Sequence, residues 1–65
     1  MANMTLEDSM HRIIGYLEID GRGNKTLRDQ YRKILGYYDA GRNVTMDFTH
    51  RIIGYGDILA ALLKI

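Results

Sequence analysis

A six-residue segment occurs twice in this chain without a single change, and a near-copy lies between the two. Residues 11–16 and 50–55 both read His-Arg-Ile-Ile-Gly-Tyr, and residues 32–37 read Arg-Lys-Ile-Leu-Gly-Tyr. An Asn-x-Thr pattern and an Asp precede each copy, so the similarity extends upstream. Self-similarity of this kind indicates how a protein is built and does not by itself indicate its chemistry. We interpret the chain as three repeat units, about residues 3–23, 24–42 and 43–56.

Each unit predicts two short strands joined by a tight turn. The Ile, Leu and Tyr residues of the repeated segment suit a pleated surface. Gly and Asn between the units accept positive φ, which indicates loops at 20–24 and 39–43. The predicted strands cover residues 4–7, 12–19, 25–28, 33–39, 44–47 and 51–56. The sequence therefore predicts one mainly all-β domain over residues 1–65, an antiparallel meander of about six short strands from three hairpin repeats.

The turns inside the units begin with Asp and end with His or Arg. They are predicted at residues 8–11, 29–32 and 47–50. An Asp carboxylate at the first position of a turn can accept a hydrogen bond from the backbone N–H two residues later. His tolerates the left-handed backbone region better than most residues other than glycine.

The last nine residues depart from the repeat and predict a short helix over about 57–65. They contain no Gly and are rich in Leu and Ala, which favour helix, and Asp57 suits the N-cap. An isolated helix this short is marginal in water, so it must dock. Its apolar positions share one face: Ile58, Leu59, Leu62 and Leu63.

The turn-plus-strand segment of residues 47–54 resembles the repeat of the small bacterial β-flower domains. Those domains carry tandem Asp-x-x-Gly-Arg-x-Ile-Gly units, each folded as a hairpin petal. Residues 8–15 and 29–36 resemble the repeat equally, with His or Arg where it has Gly. The resemblance implies a hairpin-repeat fold. It transfers no catalytic residues, because members of this kind are largely of unknown function.

Charge and composition exclude several classes of function. Nine Lys and Arg residues against eight Asp and Glu give a net charge of +1, so nucleic acid is not an expected partner. Because Cys is absent, disulfides and thiolate chemistry are excluded. There is no secretory signal pattern and no apolar run of about 20 residues, so we expect a cytoplasmic protein without a membrane partner.

The recurring tyrosines are the candidate ligand-binding residues. Tyr16, Tyr37 and Tyr55 follow the three repeated glycines and could form an aromatic platform for a sugar or a nucleobase. Cross-strand packing explains the same recurrence and is the favoured interpretation.

The turn residues raise two further possibilities that the pattern does not favour. His11 and His50 could serve a metal or acid–base chemistry, but Arg32 occupies the equivalent middle position. The three turn aspartates could bind calcium, but an oxygen cage needs six to eight converging ligands. We therefore predict no catalytic, cofactor or metal site, and no enzyme activity.

A 65-residue chain without disulfide or metal commonly gains stability by association. The sequence predicts a structural or protein-interaction module that forms a homo-oligomer, most simply a homodimer. The predicted interface is the apolar face of the C-terminal helix, at Ile58, Leu59, Leu62 and Leu63. The alternative is a carbohydrate- or nucleotide-binding module that uses the tyrosine platform.

Overall fold

Six strands run antiparallel, each paired with the next one in sequence, in a computed structural model that describes residues 2–63. The strands are β1 (Ala2–Glu7), β2 (Ile13–Ile19), β3 (Lys25–Asp29), β4 (Ile34–Asp39), β5 (Val44–Asp47) and β6 (Ile52–Tyr55). The sheet is open, because no strand of the described residues pairs with the outer edge of β1 or of β6. The predicted all-β antiparallel meander is confirmed.

The three odd-to-even hairpins, β1–β2, β3–β4 and β5–β6, share a β-bulge near the turn. The register shifts between Leu6 and Glu7 in the first hairpin and between Leu27 and Arg28 in the second. In the third it shifts after Thr45. A bulge increases the local twist of the strands. The identical sequence segments of the first and third hairpins thus occupy equivalent places in the sheet.

Four of the five connections between strands use one turn geometry, which begins at Asp8, Asp20, Asp29 or Asp47. The backbone N–H of the fourth residue donates to the Asp carbonyl, and the Asp N–H donates to the carbonyl of the fifth residue. The Asp Oδ1 accepts hydrogen bonds from the N–H groups of the third and fifth residues. This pattern is a type I turn followed by a left-handed residue.

The left-handed residue is glycine in only one of these four turns. Gly23 has φ 87°, whereas His11, Arg32 and His50 have φ 61°, 69° and 68°. The left-handed region costs a residue with a Cβ about 1 to 2 kcal/mol. The Asp hydrogen bonds around each turn hold that conformation in place.

Side chains alternate between two faces of the sheet, and the chain after β6 lies on one of them. That face, here called the covered face, carries Leu17, Leu27 and Thr45 together with the repeated glycines. The opposite face, here called the tyrosine face, carries the repeated tyrosines. Leu27 and Thr45 are almost completely buried on the covered face, and Val44 and Met46 of β5 are buried on the tyrosine face.

The C-terminal segment forms one 3₁₀ turn, Leu59–Leu62, where the sequence predicted a helix over 57–65. The last two residues of that prediction lie outside the described residues. Asp57 does not act as a helix N-cap. Its carboxylate instead accepts hydrogen bonds from Nζ of Lys25 at 2.5 Å and from the Leu59 N–H at 3.3 Å. Docking on the sheet therefore overrides the helical preference of a segment too short to be stable alone.

The repeated glycines make room for this segment. A Cβ on Gly15 or Gly36 would lie 2.7 Å or 2.5 Å from a backbone carbonyl oxygen, so only glycine fits at these two positions. A Cβ on Gly54 would lie 2.5 Å from Cδ1 of Ile58, the end of a side chain that can shift. Each glycine has its own apolar side chain above it: Leu63 over Gly15, Leu62 over Gly36 and Ile58 over Gly54.

Buried Thr45 fixes the path of the chain as it leaves β6. Its Oγ1 donates to the carbonyl of Gly56 at 2.7 Å and accepts from the N–H of Ile58 at 3.0 Å. Gly56 has φ 79°, and its N–H donates to the carbonyl of Asn43. These bonds turn the chain off the edge of the sheet and onto the covered face.

Candidate functional site

The strand register brings the three predicted platform tyrosines to the same face of the sheet. Tyr16 on β2 is opposite Arg28, and Tyr37 on β4 is opposite both Thr26 and Met46. Tyr55 on β6 is opposite Val44. Directly opposed residues in an antiparallel pair share a face. The tyrosines therefore form a row on alternate strands of the tyrosine face.

Two tyrosine rings are covered by the left-handed residue of the next hairpin. The Arg32 guanidinium carbon lies 4.2 Å from the centre of the Tyr16 ring. The His50 imidazole stacks on Tyr37, with the ring centres 4.4 Å apart and the planes 14° from parallel. Each side chain reaches past the first strand of its own hairpin. Contacts of these kinds contribute about 0.5 to 1.5 kcal/mol each.

The third tyrosine and the first histidine take no part in such a stack within residues 2–63. Tyr55 is 81% exposed on the edge strand β6. The His11 side chain is 89% exposed beside the other edge strand, with its Nδ1 3.9 Å from the Glu7 carboxylate. The described chain thus leaves an open aromatic ring at one edge of the sheet and an open imidazole at the other.

A network of polar contacts supports the Arg32 stack on Tyr16. Nε of Arg28 donates to the Glu18 carboxylate at 2.9 Å, and Nη1 of Arg28 donates to the carbonyl of Arg32 at 3.0 Å. Together with Asn3 and Thr5 these side chains line a shallow cavity of about 220 Å³. Small-molecule sites usually occupy about 300 to 1,000 Å³, so this cavity would hold only part of a ligand.

The turn aspartates are committed to the backbone of their own turns. The backbone N–H of Arg22 lowers the pKa of Asp20, and the backbone N–H of Arg12 lowers the pKa of Asp8. The Thr49 hydroxyl lowers the pKa of Asp47. The turn aspartates lie at both ends of the sheet. Over residues 2–63, no three acidic or histidine side chains come close enough together to hold a metal ion.

A group of large apolar side chains is exposed at one end of the sheet. This group, here called the turn-end surface, lies on the turns of the odd-to-even hairpins and on the first residues of β2 and β6. Its members are Met10, Ile13, Tyr31, Phe48, Ile52 and Ile53. Sequence reasoning interpreted residues 8–11, 29–32 and 47–50 only as turns and did not find this surface. Met10, Tyr31 and Phe48 inside the turns were its signal.

The predicted interface residues of the C-terminal segment lie on their own sheet. Leu59 is 3% exposed, and Leu62 and Leu63 are partly buried over the repeated glycines. Ile58 is 39% exposed. An interface between chains through these four residues stays a prediction, and a single chain leaves Ile58 as its main accessible member.

Two further residues of the tyrosine face escaped the sequence prediction. Arg32 and His50 were interpreted as turn residues, and the structure shows that their side chains also cover Tyr16 and Tyr37. The available signal was the replacement of a turn glycine by a ring or a guanidinium in a chain that repeats tyrosine.

Comparison with protein-family models, with curated proteins and with solved structures finds no match for this chain. The six-stranded antiparallel meander is established by the structure, and no family match supports the more specific resemblance to β-flower domains. Within residues 2–63, no helix has the length and apolar character needed to cross a bilayer.

Proposed function

We propose that this protein is a structural or protein-interaction module that associates with copies of itself. The observation that carries the proposal is the turn-end surface. Met10 is 70% exposed, Phe48 is 63% exposed and Tyr31 is 81% exposed, all at one end of a small sheet. Soluble monomers rarely expose large contiguous apolar patches, and such patches mark interaction sites.

The thin core supports the same proposal. Four apolar side chains are buried among the described residues: Leu27, Val44, Met46 and Leu59. A chain of this size buries about 60% of the surface that it exposes when unfolded, less than a larger domain, and is marginally stable alone. A second chain that covers exposed apolar side chains would add the burial that one sheet lacks.

The test is the mass of the protein in solution across a concentration series. Multi-angle light scattering should give a multiple of the 7.5 kDa chain mass that falls towards one chain on dilution. Met10→Ser should weaken association if the turn-end surface takes part. Arg22→Ser is the matched control. Arg22 is the third residue of the Asp20 turn, which has the same geometry as the Asp8 turn but lies at the opposite end of the sheet. A 7.5 kDa species at every concentration would contradict the proposal.

A second candidate function is a carbohydrate- or nucleotide-binding module. The observation that favours it is the open ring of Tyr55, in a row with Tyr16 and Tyr37 on a face that also holds the cavity of about 220 Å³. Aromatic platforms bind sugars and bases by stacking. Chemical-shift mapping with a panel of sugars and nucleotides should move the Tyr55 resonances first. No response at any of the three tyrosines would remove this candidate.

We also propose that the hairpins are of the β-flower type. The support is local: His11, Arg32 and His50 keep positive φ at the position where the β-flower repeat has glycine. A triple variant with glycine at these positions should keep the native hydrogen-bond pattern. Loss of the meander in its NMR spectrum would end the assignment.

A further inference from the structure

Consecutive hairpins are connected by a repeated stack on the tyrosine face. The second hairpin places Arg32 over Tyr16 of the first, and the third places His50 on Tyr37 of the second. The series is incomplete at both edges of the sheet. Within residues 2–63, no strand lies outside β1 to offer a tyrosine to His11, and no hairpin turn lies outside β6 to cover Tyr55.

The two open ends are chemically matched. Residues 11–16 and 50–55 are identical, and φ is 61° at His11 and 68° at His50, so both imidazoles leave the same kind of turn. The His50 imidazole stacks on the tyrosine of the preceding hairpin. The His11 imidazole lies beside Glu7 of β1, with Nδ1 3.9 Å from the carboxylate, at the edge where a preceding hairpin would pair.

We infer that a second copy of this chain binds head to tail, with its β1 beside β6 of the first copy and its His11 stacked on Tyr55. The inference deepens the proposed self-association and rests on it. Both strands offer a free outer edge within the described chain. The contact continues the sheet and the row of stacks from one copy into the next.

The internal strand pairs give the expected register of this contact. Gly15 is opposite Asp29 between β2 and β3, and Gly36 is opposite Asp47 between β4 and β5. By the same rule, Gly54 lies opposite Asp8 of the neighbouring copy and Tyr55 lies opposite its Glu7. Beyond Tyr55 the chain turns away at Gly56, so strand pairing is short and the stack carries much of the specificity.

Charge does not oppose this arrangement. Glu7 of the neighbouring copy would meet Tyr55 on the tyrosine face. The acidic residue just after β6, Asp57, is paired with Lys25 on the covered face. The two carboxylates therefore lie on opposite sides of the continued sheet.

The geometry separates this contact from a two-fold one. Pairing β1 with β1 of a second copy would leave both His11 and Tyr55 unstacked. A head-to-tail contact uses two different surfaces, so it closes into a ring or grows into a filament. Either assembly is consistent with the inference.

Cysteine-directed cross-linking tests the contact, because the natural chain has no Cys. At a protein concentration high enough for β1–β6 pairing to persist without the stack, the double variant H11C/Y55C, treated with a short bismaleimide, should give covalent multimers, and a failure to do so would overturn the inference. H11C alone and Y55C alone should give none. The pair Y37C/H50C calibrates the reagent, because these positions form the equivalent stack inside one chain. Multimers from T5C alone, with none from the double variant, would indicate β1–β1 pairing and overturn the inference.

Affinity measurements separate this inference from the proposed function. Tyr55→Ser and His11→Gly should each weaken association about twofold to tenfold, the usual range for one aromatic pair. The double variant should lose no more than either single variant. Both sites are exposed, so thermal unfolding of the dilute protein should confirm an intact fold. If Tyr31→Ser weakens association and neither of these variants does, self-association stands and the head-to-tail contact is wrong. A wild-type monomer at all concentrations removes both.

Discussion

The covered face and the tyrosine face use neighbouring residues of the same repeat in different ways. Each Gly-Tyr pair places its glycine on the covered face and its tyrosine on the tyrosine face, since side chains alternate along a strand. The glycines accept Ile58, Leu62 and Leu63, which all come from one segment. Among the tyrosines, Tyr16 is covered by a guanidinium and Tyr37 by an imidazole, and Tyr55 has neither. The covered face thus seats one segment at three fixed places, whereas the tyrosine face buries Val44 and Met46 of β5 and leaves the Tyr55 ring exposed.

The two faces should therefore respond to substitution on different scales. A larger side chain on the covered face would clash with packed protein atoms. Changing a stacked pair on the tyrosine face exchanges one partly hydrated contact for another.

The largest effect is expected on the covered face, for Gly36→Ala. The new Cβ would clash with Leu62 and with the backbone carbonyl of Met46, which cannot rotate away. Overpacking of this kind costs about 1 to 3 kcal/mol, a large part of the stability of a small domain. Urea unfolding measures the loss. Gly21→Ala is the control, because nothing lies within 4 Å of its added Cβ. Equal stabilities of the two variants would show that the segment does not pack as described.

A loss of similar size is expected for Thr45→Val, also on the covered face. Valine keeps the shape but leaves the Ile58 N–H and the Gly56 carbonyl without the Thr45 hydroxyl. An unsatisfied buried polar group costs about 1 to 3 kcal/mol. Thr45→Ser retains the hydroxyl and should be clearly more stable than the valine variant. Amide exchange at Ile58 should accelerate in Thr45→Val alone.

On the tyrosine face, His11→Gly and His50→Gly should change the free energy of unfolding by different amounts. Each change relieves the positive φ of a residue with a Cβ, which is worth up to about 1 kcal/mol after the flexibility of glycine is counted. Only His50→Gly also removes a stack, the one on Tyr37. In dilute protein His11→Gly should raise the free energy of unfolding, and His50→Gly should raise it less or lower it. Identical values would mean that the stack contributes nothing.

The smallest effect is expected from the charge of a single turn aspartate. The backbone N–H groups of Arg22 and Asn24 lower the pKa of Asp20 below that of the unfolded chain. Its contribution to stability is therefore complete above the unfolded pKa of about 3.9 and is lost as the pH falls through the lower folded value. In Asp20→Asn, an uncharged amide oxygen replaces the carboxylate oxygen as the acceptor. The free energy of unfolding of this variant should therefore decline less on acidification than that of the wild type. An unchanged slope of stability against pH would contradict this assignment.

Local rules predicted most of the sheet. The Ile, Leu and Tyr residues and the Asp turns placed five strands within one residue of their observed ends, and Ala2–Glu7 begins two residues before its prediction. The turn at Asp20–Gly23 was predicted only as a loop. Its equivalence to the other turns depends on hydrogen bonds rather than on matching letters.

The parts that sequence reasoning missed depend on contacts between distant residues. Helix propensity described the last segment in isolation, but seating Leu62 and Leu63 over Gly36 and Gly15 decided its conformation. The tyrosine row was predicted because the tyrosines recur in the sequence. The stacks on these tyrosines were not predicted, because each joins a tyrosine to a left-handed turn residue far along the chain: Tyr37 to His50, and Tyr16 to Arg32.

The one-to-one match between glycines and the apolar side chains above them limits how this protein can change in length. An added hairpin would bring a glycine with no apolar side chain above it, and a deleted hairpin would leave one apolar side chain exposed to water. The length of the final segment thus matches the number of hairpins. Gain or loss of a repeat in a descendant of this chain would have to be accompanied by a matching change in its tail.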